Sequence, residues 1–154
     1  MSNRKGTAVV TGATGGLGAL YAAGLAERGY DLLLSGRKRT TLDAVAKAAK
    51  QRADVKVDTL VANLAEAEDL ARVEARISSD PAITALVNNA GAASFGQFAK
   101  LSSEALDETT AVNIIALTRP DPRSVTRLTG ARRGFNRQCR IRAGLPSVAG
   151  VRRL

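Results

Sequence analysis

Thr11-Gly12-Ala13-Thr14-Gly15-Gly16-Leu17-Gly18 is the segment whose residue types and spacing point most directly to chemistry. It follows the apolar run Ala8-Val9-Val10 and precedes a stretch of helical periodicity beginning near Leu17. Gly12 permits a tight turn out of a strand, Gly16 lets backbone come close to a diphosphate, and Gly18 lets a helix pack tightly on a sheet. The start of that helix offers unpaired N–H groups and the positive end of its dipole to an anion. Turns are also glycine-rich for purely structural reasons. The strand–turn–helix setting gives this one its meaning.

The elements that must position this turn follow from periodicity. Ala8–Val10 is a short buried strand, and Leu17 to Arg28 is helical, with Leu17, Leu20, Tyr21, Gly24 and Leu25 on one stripe and Gly29 as its stop. Leu32-Leu33-Leu34 is a second strand, closed by Ser35-Gly36. A helix over about 40–52 carries Leu42, Val45, Ala46 and Ala49 inward. A third strand covers 55–61, and a helix over about 66–78 turns Leu70, Val73 and Ile77 inward. A fourth strand covers 83–87, and a helix over about 104–117 is capped by Ser102 or Ser103. Short apolar strands alternating with amphipathic helices mean βαβ units and a parallel sheet with helices on both faces. The predicted class is α/β, a Rossmann-like doubly wound parallel sheet of about four strands and four helices, followed by an irregular basic tail.

Three motifs then fall in order on these elements. Thr-Gly-x-x-x-Gly-x-Gly opens the chain, Asn88-Asn89-Ala90-Gly91 ends the fourth strand, and Ala111-Val112-Asn113 lies on the next helix. In this the chain resembles the short-chain dehydrogenase/reductase family over residues 1 to about 118. The resemblance implies NAD(P)-dependent hydride transfer between a nicotinamide and a small carbonyl or alcohol substrate. It implies that Thr14, Gly15, Gly16, Leu17 and Gly18 face the cofactor diphosphate and adjoining ribose, after the turn at Gly12. Asn89, Ala90 and Gly91 would line the wall near the adenosine ribose and hold the central sheet. Asn113 would support a water and the active-site lysine; Asn113 could equally serve only the backbone. Intact relatives are often dimers or tetramers, so a homo-oligomer is implied as well.

Members of the family that prefer NAD carry an acid at the end of the second strand, where it accepts hydrogen bonds from the ribose 2′-hydroxyl. Here Gly36 holds that place and Arg37-Lys38-Arg39 follows. An arginine fork can bind a 2′-phosphate, whereas a carboxylate would repel it. NADP is favoured over NAD, against the plainer alternative of a solvated basic cluster. The aspartate that the family places after the third strand, against the adenine amino group, is replaced by Asn63-Leu64, whose amide oxygen can still accept that bond.

The family also needs a serine and a Tyr-x-x-x-Lys pair, the lysine lowering the pKa of a tyrosine otherwise near 10. Tyr21 and Tyr30 are the two tyrosines; Leu25 and Leu34 stand four places on, and Lys100 is the last lysine. The expectation is a chain that cannot complete the reaction, with 1–118 an incomplete cofactor-binding domain. On that view residues 83–87 form a sheet edge whose pairing partner is missing.

Composition changes abruptly at residue 119. Residues 1–118 carry 13 basic and 13 acidic side chains, so the net charge of +9 comes wholly from 119–154, with ten arginines against Asp121. Pro120, Pro122 and Pro146 lie there, and no apolar period is visible, so no structure is assigned to it. Such a composition is what a GC-rich gene yields out of frame. Shifted one base later, codons for Asn136-Arg137-Gln138-Cys139-Arg140-Ile141 permit Ile-Val-Asn-Val-Ala-Ser, similar to the family's fifth strand and its serine. The same shift of Pro120-Asp121-Pro122-Arg123 permits Leu-Thr-Arg-Ala. The alternative is a non-catalytic dinucleotide-binding protein whose tail binds nucleic acid or anionic membrane. Against that, the arginines follow no helical stripe and Phe135 is the tail's one aromatic. A third possibility is an inactive homologue kept as a cofactor sensor or partner subunit. With Cys139 alone and no histidine, neither a disulfide framework nor a Cys/His zinc site is expected. No apolar run reaches the roughly 20 residues of a membrane span, and a cytoplasmic protein is expected.

Overall fold

The computed structural model describes residues 5–119 and the backbone of 135–138. Strand β1 (Thr7–Thr11) is followed by helix α1 (Gly16–Glu27), β2 (Asp31–Gly36), α2 (Arg39–Arg52), β3 (Val57–Val61), α3 (Ala67–Ser79) and β4 (Ile83–Asn88). A 3₁₀ turn (Phe98–Lys100) leads to α4 (Ser103–Thr110), which runs through a π turn (Ala111–Ile115) into a last helical turn (Ala116–Thr118). Strand β5 spans Phe135–Gln138. The sheet order is β3-β2-β1-β4-β5, and every pairing is parallel. The doubly wound sheet expected from the alternating pattern is therefore present.

Strand periodicity explains the two faces. Ala8 and Val10 of β1, with Leu32 and Leu34 of β2, pack with Leu42, Ala46 and Ala49 of α2 on one side. Val9 and Leu33 point the other way, onto Leu70, Val73 and Ile77 of α3. A strand buried on both faces needs apolar residues at every position, which is why β1 and β2 read as unbroken runs.

Helix α1 departs from the expectation. Its buried residues are Gly18, Ala22 and Ala26, whereas Leu17 and Leu20 are 54% and 68% exposed. Tyr21 and Leu25 pack only partly against the core. The small residues recur every four positions and let the helix lie close to the sheet, so Leu17 and Leu20 turn outward. The predicted stripe holds in part at Tyr21 and Leu25, and the buried contact is a glycine–alanine seam.

The fourth strand is not an edge. Strand β5 pairs with β4 in the register Ala85↔Phe135, Leu86↔Asn136, Val87↔Arg137 and Asn88↔Gln138. The expectation of an unpaired β4 is corrected here. A parallel ladder is made by backbone groups, so this segment needs no apolar period to form it. Pro120, Pro122 and Cys139 lie outside the described residues.

These placements separate two leucines. Leu34 is fully buried, and Leu34→Ala should lower stability by about 2–5 kcal/mol. Leu20→Ala should stay within about 0.5 kcal/mol of the parent. Urea denaturation followed by circular dichroism checks both; equal losses would contradict the orientation of α1.

Candidate functional site

The carboxyl ends of β1 to β4 meet around a cavity of about 370 Å³. The turn after β1 contributes Gly12, Thr14, Gly15 and Leu17, and the end of β2 contributes Gly36 and Arg37. Ala62, Asn63 and Leu64 follow β3, and Asn89, Ala90 and Gly91 follow β4; Glu108 and Val112 close the remaining side. Ten of the sequence-predicted site residues are brought together here. Gly16, Gly18 and Asn113 are not among the lining residues.

Close approach of backbone explains why Gly12 and Gly18 are glycines. A Cβ on Gly18 would lie 2.3 Å from the Gly12 carbonyl oxygen, and one on Gly12 would lie 2.7 Å from Ala90 Cα. Both obstacles are backbone, which cannot swing aside. Gly15 and Gly16 differ: a Cβ on either would meet nothing within 4 Å. Gly15 precedes α1, whose N-terminus has no side-chain cap and no acid in its first turn. By contrast α4 is capped by Ser102, whose side chain accepts from the Ala105 N–H. The start of α1 thus presents backbone N–H groups without a side-chain cap and a positive dipole end beside open space. These residues fit an anionic diphosphate.

Thr11 and Asn89 lock β1 to β4 beside the cavity. Thr11 Oγ1 accepts from the N–H groups of Asn89 and Ala90, each at 3.1 Å, and donates to the Val87 carbonyl at 3.4 Å. Asn89 Nδ2 donates to the carbonyls of Thr11 and Gly12 at 3.1 and 3.0 Å. Asn113 sits in the π turn, with both ends of its amide on one residue: Nδ2 donates to the Ala92 carbonyl at 2.7 Å and Oδ1 accepts from its N–H at 3.0 Å. The side chain therefore fixes the loop following β4, and π turns of this kind recur at functional sites.

The loop after β3 is held from α3. Asp69 accepts from the Asn63 N–H at 2.6 Å and pairs with Arg72. Asn63 Oδ1 accepts from the Ala65 N–H at 3.3 Å. The Asn63 N–H, followed by the Arg72 guanidinium, holds the Asp69 carboxyl below the usual carboxylate range. Arg76 and the Ala82 N–H do the same for Asp80.

Ala62, Asp69, Ala92 and Glu108 are site residues not singled out from sequence. Asp69 had a signal, being an acid in the first turn of a helix. Glu108 had none, because its partner Arg37 is 71 residues away.

A parallel 3-2-1-4-5 sheet with a glycine-bearing first turn and a cavity at its carboxyl edge defines a Rossmann-like α/β protein. A family model described as short chain dehydrogenase matches residues 6–137, beyond the composition break at 119. The chain belongs to the short-chain dehydrogenase family. It is 38% identical over 84 residues to a very-long-chain 3-oxoacyl-CoA reductase-B of Danio rerio, covering 54% of this chain and 27% of that protein. It is 35% identical over 111 residues to the inactive hydroxysteroid dehydrogenase-like protein 1 of Homo sapiens, covering 71% and 34%. A solved short-chain dehydrogenase from Sphingobium yanoikuyae in complex with NADPH superposes with a TM-score of 0.79 at 37% identity, covering 85% of this chain and 52% of that one. The chain thus spans about half the length of the solved relative, and 27% and 34% of these curated ones. Among the described residues, no group of acids, cysteines or histidines could hold a metal ion, and no helix is long and apolar enough to cross a membrane.

Two measurements test the site's framework. Thr11→Val keeps the shape but strands two N–H groups, and should lower stability by about 1–3 kcal/mol in chemical denaturation. For Asp69 and Asp80, a folded-state pKa below the ordinary 3.8 contributes stability above that value, lost as pH falls through the folded pKa. Urea midpoints should therefore decline from about pH 5 to about pH 2, and Asp69→Asn should make that decline shallower.

Proposed function

We propose that the cavity binds the diphosphate and adenosine of a nicotinamide dinucleotide, as part of an oxidoreductase acting on a carbonyl or alcohol. One observation carries this reading: the uncapped start of α1, beside two glycines facing open space, lies where β1 is flanked by β2 on one side and β4 on the other. The connection after β1 leads to β2 on one side and that after β4 leads to β5 on the other, and a crevice opens between two connections that diverge in this way. Gly12, Thr14, Gly15, Gly16 and Leu17 would hold the diphosphate, and Asn63, Leu64, Asn89, Ala90 and Gly91 the adenosine side. When bound, the cofactor would supply or accept the hydride.

The NADP form is the preferred ligand in this reading. A Cβ at Gly36 would lie 2.6 Å from Thr14 Cγ2, which disfavours the acid that NAD-preferring relatives carry there. Arg37 stands next to it on the cavity wall. The NADPH in the Sphingobium relative supports the same choice. Since the 154 residues contain no Tyr-x-x-x-Lys, the chain alone binds cofactor without turning it over.

A titration of the full chain with NADPH and NADH, read by nicotinamide fluorescence, tests this. NADPH should bind more tightly than NADH. Gly15→Glu, whose backbone is extended and whose Cβ is unobstructed, should leave the fold intact and weaken NADPH by at least ~10-fold, about 1.4 kcal/mol. Binding of neither nucleotide would sink the assignment, and turnover by this polypeptide alone would sink the claim of inactivity.

We infer in addition that residues from about 119 onward are read one base out of phase. Two features support it: composition changes abruptly at residue 119, and the codons of Asn136 to Ile141 in the next frame permit an apolar strand ending in a serine. A one-base slip changes residue types but not the length of the connection. The gene's nucleotide sequence decides the matter; without an open shifted frame encoding Tyr-x-x-x-Lys, the idea fails.

A further inference from the structure

Arg37 and Glu108 are the charged residues lining the cavity among the described residues, and they face each other across its mouth. Arg37 Nη1 donates to Glu108 Oε1 at 2.9 Å, from the loop after β2 to the last full turn of α4. The side chains are 68% and 44% exposed. An ion pair that open to water is weak and readily exchanged.

The arginine offers more donors than one carboxylate oxygen uses. Its planar fork suits the bidentate geometry of a phosphate, which carries more charge than a carboxylate and makes stronger charge-assisted bonds. A phosphate at the adenosine ribose would therefore compete with Glu108 for the same guanidinium. Once displaced, the Glu108 carboxylate would remain near a second anion, and like charges at short range oppose binding. A ribose with a free 2′-hydroxyl asks nothing of Arg37 and meets no such penalty.

We propose that Glu108 is a specificity-determining residue. It holds Arg37 across the cavity mouth and must surrender it to a ligand carrying a 2′-phosphate, which lowers the preference for phosphorylated over unphosphorylated dinucleotide. The proposal rests on the dinucleotide reading above. It adds a residue on α4 to a discrimination otherwise assigned to the end of β2.

The test is calorimetric titration of the full chain with adenosine 2′,5′-bisphosphate and with 5′-AMP, which report the phosphate directly without any turnover. Glu108→Gln should tighten the bisphosphate by about 3- to 10-fold and leave 5′-AMP unchanged. Arg37→Ala should weaken the bisphosphate by about 10-fold or more and remove the effect of Glu108→Gln in the double variant. Circular dichroism should give all variants the parent spectrum, since both side chains are surface groups. Equal tightening of both nucleotides by Glu108→Gln would overturn the proposal, because the acid would then act as a general negative charge. Weaker bisphosphate binding would also overturn it, showing that Glu108 prepares Arg37 for the phosphate. So would no change in a parent that binds both ligands. A parent that binds neither nucleotide removes the dinucleotide reading itself.

Discussion

Three separate pieces of backbone meet at one point, and the rest of the structure is arranged around their contact. The turn at Gly12, the first turn of α1 at Gly18, and the segment Asn89–Ala90 after β4 approach so closely that no Cβ fits at either glycine. Asn89 fills the remaining gap and donates to both carbonyls at the end of β1. This contact fixes the direction in which α1 leaves the sheet. It therefore fixes where the N–H groups of the helix's first turn point. A binding site made of backbone donors depends on such placement more than on any side chain.

The surrounding elements serve the same constraint from a distance. The Thr11 hydroxyl joins the ends of β1 and β4, Asp69 holds the start of the β3 loop, and Asn113 pins Ala92 from the π turn. Each uses a side chain on a regular element to immobilise a loop at the carboxyl edge. Loops carry ligands well when a rigid scaffold decides their position.

Much of this was legible in the chain, and the failures share a cause. Helix α3 could be read outright because Leu70, Val73 and Ile77 are large, evenly spaced and buried. Helix α1 misled because large apolar residues draw attention, while its contact is made by Gly18, Ala22 and Ala26; periodicity of hydrophobicity is blind to a seam of small residues. Strand β5 escaped because Phe135-Asn136-Arg137-Gln138 carries none of the apolar run that marks the other strands. The cavity residues that follow strands were visible from motifs, whereas Glu108 depends on a partner across the fold, which no local window contains.

A helix seated on a sheet through glycine and alanine freezes almost no rotamers, since those residues have none to lose. The joint is therefore stiff without an entropic charge for its stiffness, and warming offers little extra freedom to its side chains. Whatever anion rests at the tip of α1 meets donors that are already aimed. The same geometry bars enlargement at the seam, so variation in this region is directed outward, to Leu17 and Leu20, where it leaves the joint untouched.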